Sequence, residues 1–399
     1  MSRSINKEIL NRAIEARAQG YIKTGHIAGC SVRVYQRGDT VCSREFGYSD
    51  PNSGEPVRPD SVFRLASMTK PVVAAAVLIC MQRSLLSPLD RLSDYFPGFA
   101  ELRVGSMGAS GKEHSAGHAE RETDGEAGGR EILRRPAREV TLLDLLSHTA
   151  GFGTDENAAE LDRRTQVLRG TQQTLGSTVR FYEDELVLSF DPGSRRSYSP
   201  IAAFDALAAV VELVSGMSID SFVRDNILVP LGMNDTSFVL SPSLRSRLVC
   251  MHNLVNGIPE AHRMDSIFSD FPATYHSGGA GLVSTADDYL RFALMLLEGT
   301  KHDTPVLTHS SVELMRTPVS VAGDEQEKPD EMFGFGVRVI TRDGILPRGA
   351  FGWSGAYGTH FWVDPDNDLL AVLMKNSLYD GGAGCGTAVA FEQDVMSAL

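Results

Sequence analysis

The two ends of this chain carry strand patterns and its middle carries helix patterns, and this restricts the fold more than any other feature. Residues 27–35 (IAGCSVRVY) are β-branched and alternating, residues 36–39 (QRGD) form a turn, and residues 40–48 resume as a strand. That is a hairpin signal. At the far end, residues 335–341, 349–353, 359–363 and 369–375 read as four more strands, with turns at 342–344 (RDG) and 364–367 (DPDN). Between these blocks, residues 71–83, 142–146, 202–214, 219–227 and 286–297 carry apolar residues at helical spacing. An amphipathic surface helix opens the chain, and a last helix is expected over 386–398. The expected fold is α/β (α+β): an antiparallel sheet built from N- and C-terminal segments, flanked by helices, with a mostly helical lobe inserted.

The 399 residues allow two units or one large domain. The pattern favours one unit over 1–399, with a sheet lobe of 1–75 plus 310–399 and a helical lobe of 76–309. A cleft between lobes is a common site for small ligands. Hydrophobic residues at 42% and charged residues at 22% supply a sizeable core. Residues 105–129 differ: they contain no Val, Ile, Leu, Phe, Trp, Tyr or Cys, so 105–130 reads as a long mobile loop. His114 and His118 within it are four apart, but their Gly-rich flanks favour a solvated loop over a metal site.

A net charge of −13, from 38 basic and 51 acidic residues, argues against nucleic-acid binding. The longest apolar run, 72–80, is far short of the roughly 20 residues a spanning helix needs, so no membrane partner is expected. The N-terminus has no apolar signal-peptide core, and the five cysteines are scattered without zinc-like spacing. The expectation is a reduced cytoplasmic protein with neither metal nor cofactor. Oligomeric state is not readable.

The sharpest local segment is Phe63-Arg64-Leu65-Ala66-Ser67-Met68-Thr69-Lys70-Pro71, running into an apolar helix. If the helix starts at Ser67, Ser67 and Lys70 share a face, one turn apart. A serine at a helix start is ordinarily an N-cap. The chemical reading is that Lys70 takes the Ser67 proton. Ser4-Ile5-Asn6-Lys7 has the same spacing in a surface helix and receives no role. Two further segments supply the company such a motif needs. Ser197-Tyr198-Ser199-Pro200 precedes an apolar helix, and a phenol serves as a base at neutral pH only beside a cation such as Lys70. Trp353-Ser354-Gly355-Ala356-Tyr357-Gly358 ends a strand with small residues that let a substrate carbonyl approach the backbone. The backbone N–H groups of Ser67 and Ala356 would form an oxyanion hole.

Together these segments resemble the serine β-lactamase and penicillin-binding-protein superfamily, nearest its class C-like branch, which includes family VIII carboxylesterases and related acyltransferases. The resemblance extends to Leu145-Leu146-Ser147-His148-Thr149-Ala150-Gly151 (the family's L-L-x-H-T-x-G) and to residues 278–288 (GGAGLVSTADD; G-G-x-G-L-x-S-T-A-x-D). It also takes in Asp205, seven residues after Tyr198, and Phe333-Gly334-Phe335-Gly336. It implies Ser67 as nucleophile of an acyl-enzyme, and Lys70 with Tyr198 as coupled general base and acid. The histidine matching His148 is structural in that family. The glycine run at 278–285 lacks a P-loop lysine and reads as a turn into the next helix.

Two departures from the family pattern stand out. Pro200 occupies a place usually held by Asn, and Trp353-Ser354-Gly355 stands where Lys-Thr-Gly is usual. Both losses point toward neutral esters, with Trp353, Ser354, Gly355 and Tyr357 expected to bind substrate. Phe268, Phe271, Tyr275 and His276 are candidates for lining the pocket, with core packing the alternative. The expected function is a serine carboxylesterase acting on a small-molecule ester, with weak β-lactam turnover or transesterification as side reactions. The alternatives are a β-lactamase or D-peptidase-like amide hydrolase, an acyltransferase to an alcohol, and an inert binding member of the fold.

Overall fold

The structure, a computed structural model, describes residues 4–105, 133–153, 161, 163–165, 174–262, 274–321 and 330–399. The segment 105–130 read as a mobile loop, apart from Gly105, lies outside these residues, as do His114, His118, Phe268 and Phe271.

Eight strands form one antiparallel sheet: β1 (Gly29–Gln36), β2 (Asp39–Asp50), β3 (Glu55–Pro56), β4 (Glu331–Phe333), β5 (Arg338–Ile340), β6 (Phe351–Ser354), β7 (His360–Asp364) and β8 (Leu369–Met374). Their order is β4-β5-β6-β7-β8-β1-β2-β3. The ends of the chain meet where Ser31 pairs with Met374 and Gln36 with Leu369. The strand expected over 335–341 is shorter than its pattern suggests, and Glu331–Phe333 adds a strand before it. Between them Gly336 takes φ +71°, and a Cβ there would sit 2.8 Å from the Ala74 Cβ. The Phe335 and Gly336 amides donate to Met315 and Leu146 carbonyls instead of the sheet.

The main helices are α1 (Lys7–Lys23), α2 (Thr69–Gln82), α3 (Leu142–Leu146), α4 (Leu175–Glu185), α5 (Ala202–Ser215), α6 (Ala286–Gly299) and α7 (Gly386–Ser397). The helix expected over 219–227 is α-helical over Ile219–Val223 and continues as a π turn, Arg224–Leu228. Strand β8 shows how the layers form. Leu370, Val372 and Met374 belong to the core shared with α2, α5 and α6, whereas Leu369, Ala371 and Leu373 join the core under α1 and α7. Side chains alternate across a strand, so one apolar run feeds two cores. Helix α2 is buried from Thr69 to Cys80. At roughly 1.5–3 kcal/mol for each large apolar side chain buried, it is a rigid mount for whatever stands at its start.

Candidate active site

Ser67 lies in a 3₁₀ turn, Ala66–Met68, that runs into α2. The α-helix proper begins at Thr69, two residues later than Ser67. Residues three apart are neighbours on a helical surface, and across the junction from turn to helix Ser67 and Lys70 stay on one face. Ala66 has φ +47°, a left-handed conformation that costs a non-glycine residue about 1–2 kcal/mol. Such strain persists where neighbours over-determine the backbone. The Leu65 amide donates to the Leu282 carbonyl (3.0 Å), and the Leu65 carbonyl accepts from Thr359 Oγ1 (2.9 Å). Asn376, just past β8, accepts from the Arg64 amide (2.9 Å) and donates to the Arg64 carbonyl (3.1 Å).

Three predicted residues converge here. The Tyr198 hydroxyl donates to Ser67 Oγ at 2.7 Å, and Lys70 Nζ donates to the same oxygen at 3.2 Å. Lys70 is fully buried and also donates to the carbonyls of Pro200 (2.5 Å) and Gly279 (2.8 Å). These acceptors match the three donors of an ammonium. Its nitrogen lies 5.1 Å from the Tyr198 ring centroid. Pro200, placed where an amide side chain was expected, contributes its backbone carbonyl to Lys70.

The glycine run is held from behind by Asp205 in the first turn of α5. Its buried carboxylate accepts from Ser277 Oγ (2.8 Å), the Gly279 amide (3.2 Å), the Tyr182 hydroxyl (3.2 Å) and the Tyr275 hydroxyl. Tyr275 is thus a buried strut, and His276 faces Phe238 with ring centroids 5.6 Å apart. Neither lines the cavity.

His148 serves Tyr198 and makes no triad. Its carbonyl accepts from the Ser197 amide (3.0 Å), and its Nδ1 accepts from the Ser199 amide (3.2 Å). Its ring centroid is 4.7 Å from that of Tyr198. Burial, then the charges of Lys70 and Arg196, push the imidazole well below its usual range. It is therefore a neutral acceptor that fixes the Tyr198 loop.

Ser67 and Tyr198 open into a cavity of about 600 Å³. Trp353, Ser354 and Ala356 line it, and Phe333 and Met332 add apolar wall. Trp353 packs on Phe333 and Tyr198 at centroid distances of 5.0 and 5.3 Å. Gly355 and Tyr357 do not line it. A Cβ on Gly355 would lie 2.2 Å from both the Leu65 carbonyl and Thr359 Oγ1, so its lack of a side chain seats the β6–β7 turn against the Ser67 turn. Tyr357 is half-buried and not among the residues that line the cavity, and desolvation raises its pKa. Ser4 and Lys7 are not brought together: Ser4 bonds Arg37 (2.8 Å), and Lys7 faces Asp39 (3.6 Å).

Several lining residues escaped sequence reasoning. Arg196, Glu331, Arg338, Gly382 and Ala383 lack any local motif. His360 was findable, because the hairpin register sets it opposite Ser354. Its partner Glu392, from α7, was not.

Comparison with known proteins places the chain in a family. The Beta-lactamase family model matches residues 10–392. Protein Rv1367c of Mycobacterium tuberculosis is 30% identical over 389 residues, covering 92% of this chain and 90% of that protein. Esterase EstB of Burkholderia gladioli is 28% identical over 404 residues, covering 96% and 94%. Among solved structures, EstCE1, described as a hydrolase with promiscuous acyltransferase activity, superposes with a TM-score of 0.78 at 25% identity, covering 99% of each chain.

Proposed function

The chain belongs to the Beta-lactamase family, and from that premise we propose that it is a serine carboxylesterase acting on neutral small-molecule esters. The observation that carries this reading is the convergence of Tyr198 (2.7 Å) and Lys70 (3.2 Å) on the Ser67 hydroxyl at the floor of an aromatic cavity. The pair reacts one proton short, as a Tyr198 phenolate beside the Lys70 ammonium, and the Ser67 proton passes to the phenolate oxygen as Oγ attacks the ester carbonyl. The new C–O bond pushes an electron pair onto the carbonyl oxygen, which the Ser67 and Ala356 amides receive. Collapse expels the alcohol, which takes the proton from the pair, and leaves the acyl group on Ser67. A water, activated by the same pair, then releases the acid. Pro200 and Trp353 stand where an amide and a cation would hold a β-lactam, which disfavours that substrate class.

A fluorophosphonate probe followed by peptide mass spectrometry should place the adduct on Ser67. Full esterase activity in Ser67→Ala would remove this reading. Acyl transfer to an alcohol is the second reading, favoured by the promiscuity stated for EstCE1. It predicts that added alcohol diverts product from acid to ester at constant acylation rate.

A further inference from the structure

Ser354 closes β6 and is one of the residues lining the cavity, and a buried chain of polar groups starts at its hydroxyl. Ser354 Oγ lies 2.8 Å from His360 Nδ1, and His360 Nε2 lies 3.1 Å from Glu392 Oε1. The same Glu392 oxygen accepts from Arg338 Nη2 at 2.8 Å, and Arg338 Nη1 lies 3.3 Å from Glu331 Oε2. Ser354, His360 and Glu392 are each more than nine-tenths buried. The acyl-transfer steps above use none of these groups.

The chain has a direction. Burial would raise the Glu392 carboxyl, but its bond to His360 and the charge of Arg338 outweigh this and hold it below the usual range. Burial also holds the His360 imidazole low, against the pull of Glu392. A carboxylate only accepts, so the proton of the neutral imidazole sits on Nε2 and Nδ1 is a lone pair. The Ser354 hydroxyl must then donate to Nδ1. A free serine hydroxyl rotates to suit its ligand, whereas this one would leave a buried nitrogen unpaired. Its oxygen meets the cavity as an acceptor. Arg338 between Glu331 and Glu392 gives this trio a net negative charge.

We propose that Ser354 is a fixed hydrogen-bond acceptor in the substrate pocket, so that the site selects esters carrying a neutral hydroxyl near the scissile bond and rejects those carrying a carboxylate there. His360 and Glu392 are positioning residues for it. This rests on the Ser67 esterase reading.

The test compares kcat/KM for propyl, 2-hydroxyethyl and carboxymethyl butyrate. A second series, methyl butyrate, methyl 3-hydroxypropanoate and monomethyl malonate, moves the same groups to the acyl side. The intact protein should prefer the hydroxyl member of at least one series over its alkyl analogue by roughly three- to tenfold, with the carboxylate member slowest. Ser354→Ala should erase that preference and Ser354→Thr should keep it. Glu392→Gln lets His360 adopt its other tautomer and turns the Ser354 proton into the cavity. The carboxylate-to-hydroxyl ratio should then rise several-fold, and adding Ser354→Ala to that variant should cut the rise back to what the lost Glu392 charge alone produces. If Glu392→Gln does not fold, the Ser354→Ala and Ser354→Thr pair decides. No hydroxyl preference in either series, a preference surviving Ser354→Ala, or an unchanged ratio in folded Glu392→Gln overturns the inference. Turnover persisting in Ser67→Ala would instead overturn the esterase reading beneath it.

Discussion

Asp205→Asn separates the groups that react from the frame that holds them. Asp205 Oδ1 accepts from Ser277 and Gly279, and Oδ2 accepts from Tyr182 and Tyr275. Asparagine has the same shape but one acceptor oxygen. Its least disruptive orientation keeps that oxygen on Ser277 and Gly279 and turns the NH₂ toward two tyrosine hydroxyls. Two hydrogen bonds to a charged group are then lost, at about 1.5–3 kcal/mol each. Tyrosine oxygens can accept from the NH₂ and recover part of this, leaving a loss of about 4 kcal/mol. With an unfolding entropy near 2 cal/mol/K per residue, a chain of this length should melt about 5 °C lower. The second effect is catalytic. The Gly279 amide bonds Asp205 while the Gly279 carbonyl bonds Lys70 at 2.8 Å. A displaced Lys70 should slow acylation by roughly tenfold or more. Calorimetry reads the first effect, and the pre-steady-state burst with a p-nitrophenyl ester reads the second. A variant that melts within a degree of the parent and acylates at the parental rate would show that Asp205 does not hold the site.

Tyr198→Phe removes the 2.7 Å hydrogen bond to Ser67 while keeping the ring against His148 and Trp353. Acylation should fall by about 10²–10⁴-fold with Tm nearly unchanged, and an acylation rate within threefold of the parent would contradict a proton-transfer role. Stability should also depend on pH. Burial holds His252 at about 4, and it holds His148 and His360 below their usual range. The unfolded chain takes up these protons near pH 6.5 and the folded one does not, so stability is lost as pH falls from about 6.5 toward 4. His252 contributes about 1.4 kcal/mol per pH unit across that window. The urea midpoint should be level from pH 7 to 8 and decline steadily below 6.5. A midpoint unchanged down to pH 4.5 would refute the neutral buried histidines.

Much of this protein is legible locally. Strand β8 and helix α2 are apolar in every turn because both sides of each are covered, and such runs announce buried elements before any partner is known. Ser67, Lys70 and Tyr198 stood out because a three-residue spacing at a helix start, and a tyrosine at the head of another helix, are short-range patterns. What the chain does not write locally is register and approach. Pairing of β1 with β8 joins segments more than three hundred residues apart, and the hairpin closing at Thr359 presses Gly355 onto Leu65. That contact decides that Gly355 is a spacer. The left-handed Ala66 leaves no mark in composition, because its conformation is imposed from outside by Leu282, Thr359 and Asn376. Likewise Glu392 is an ordinary acidic residue on α7 until the fold sets it beside His360 and Arg338. Periodicity is a property of neighbours along the chain, so it survives in sequence. Hydrogen-bond direction in a buried network depends on which distant groups exclude water together, and folding alone settles it.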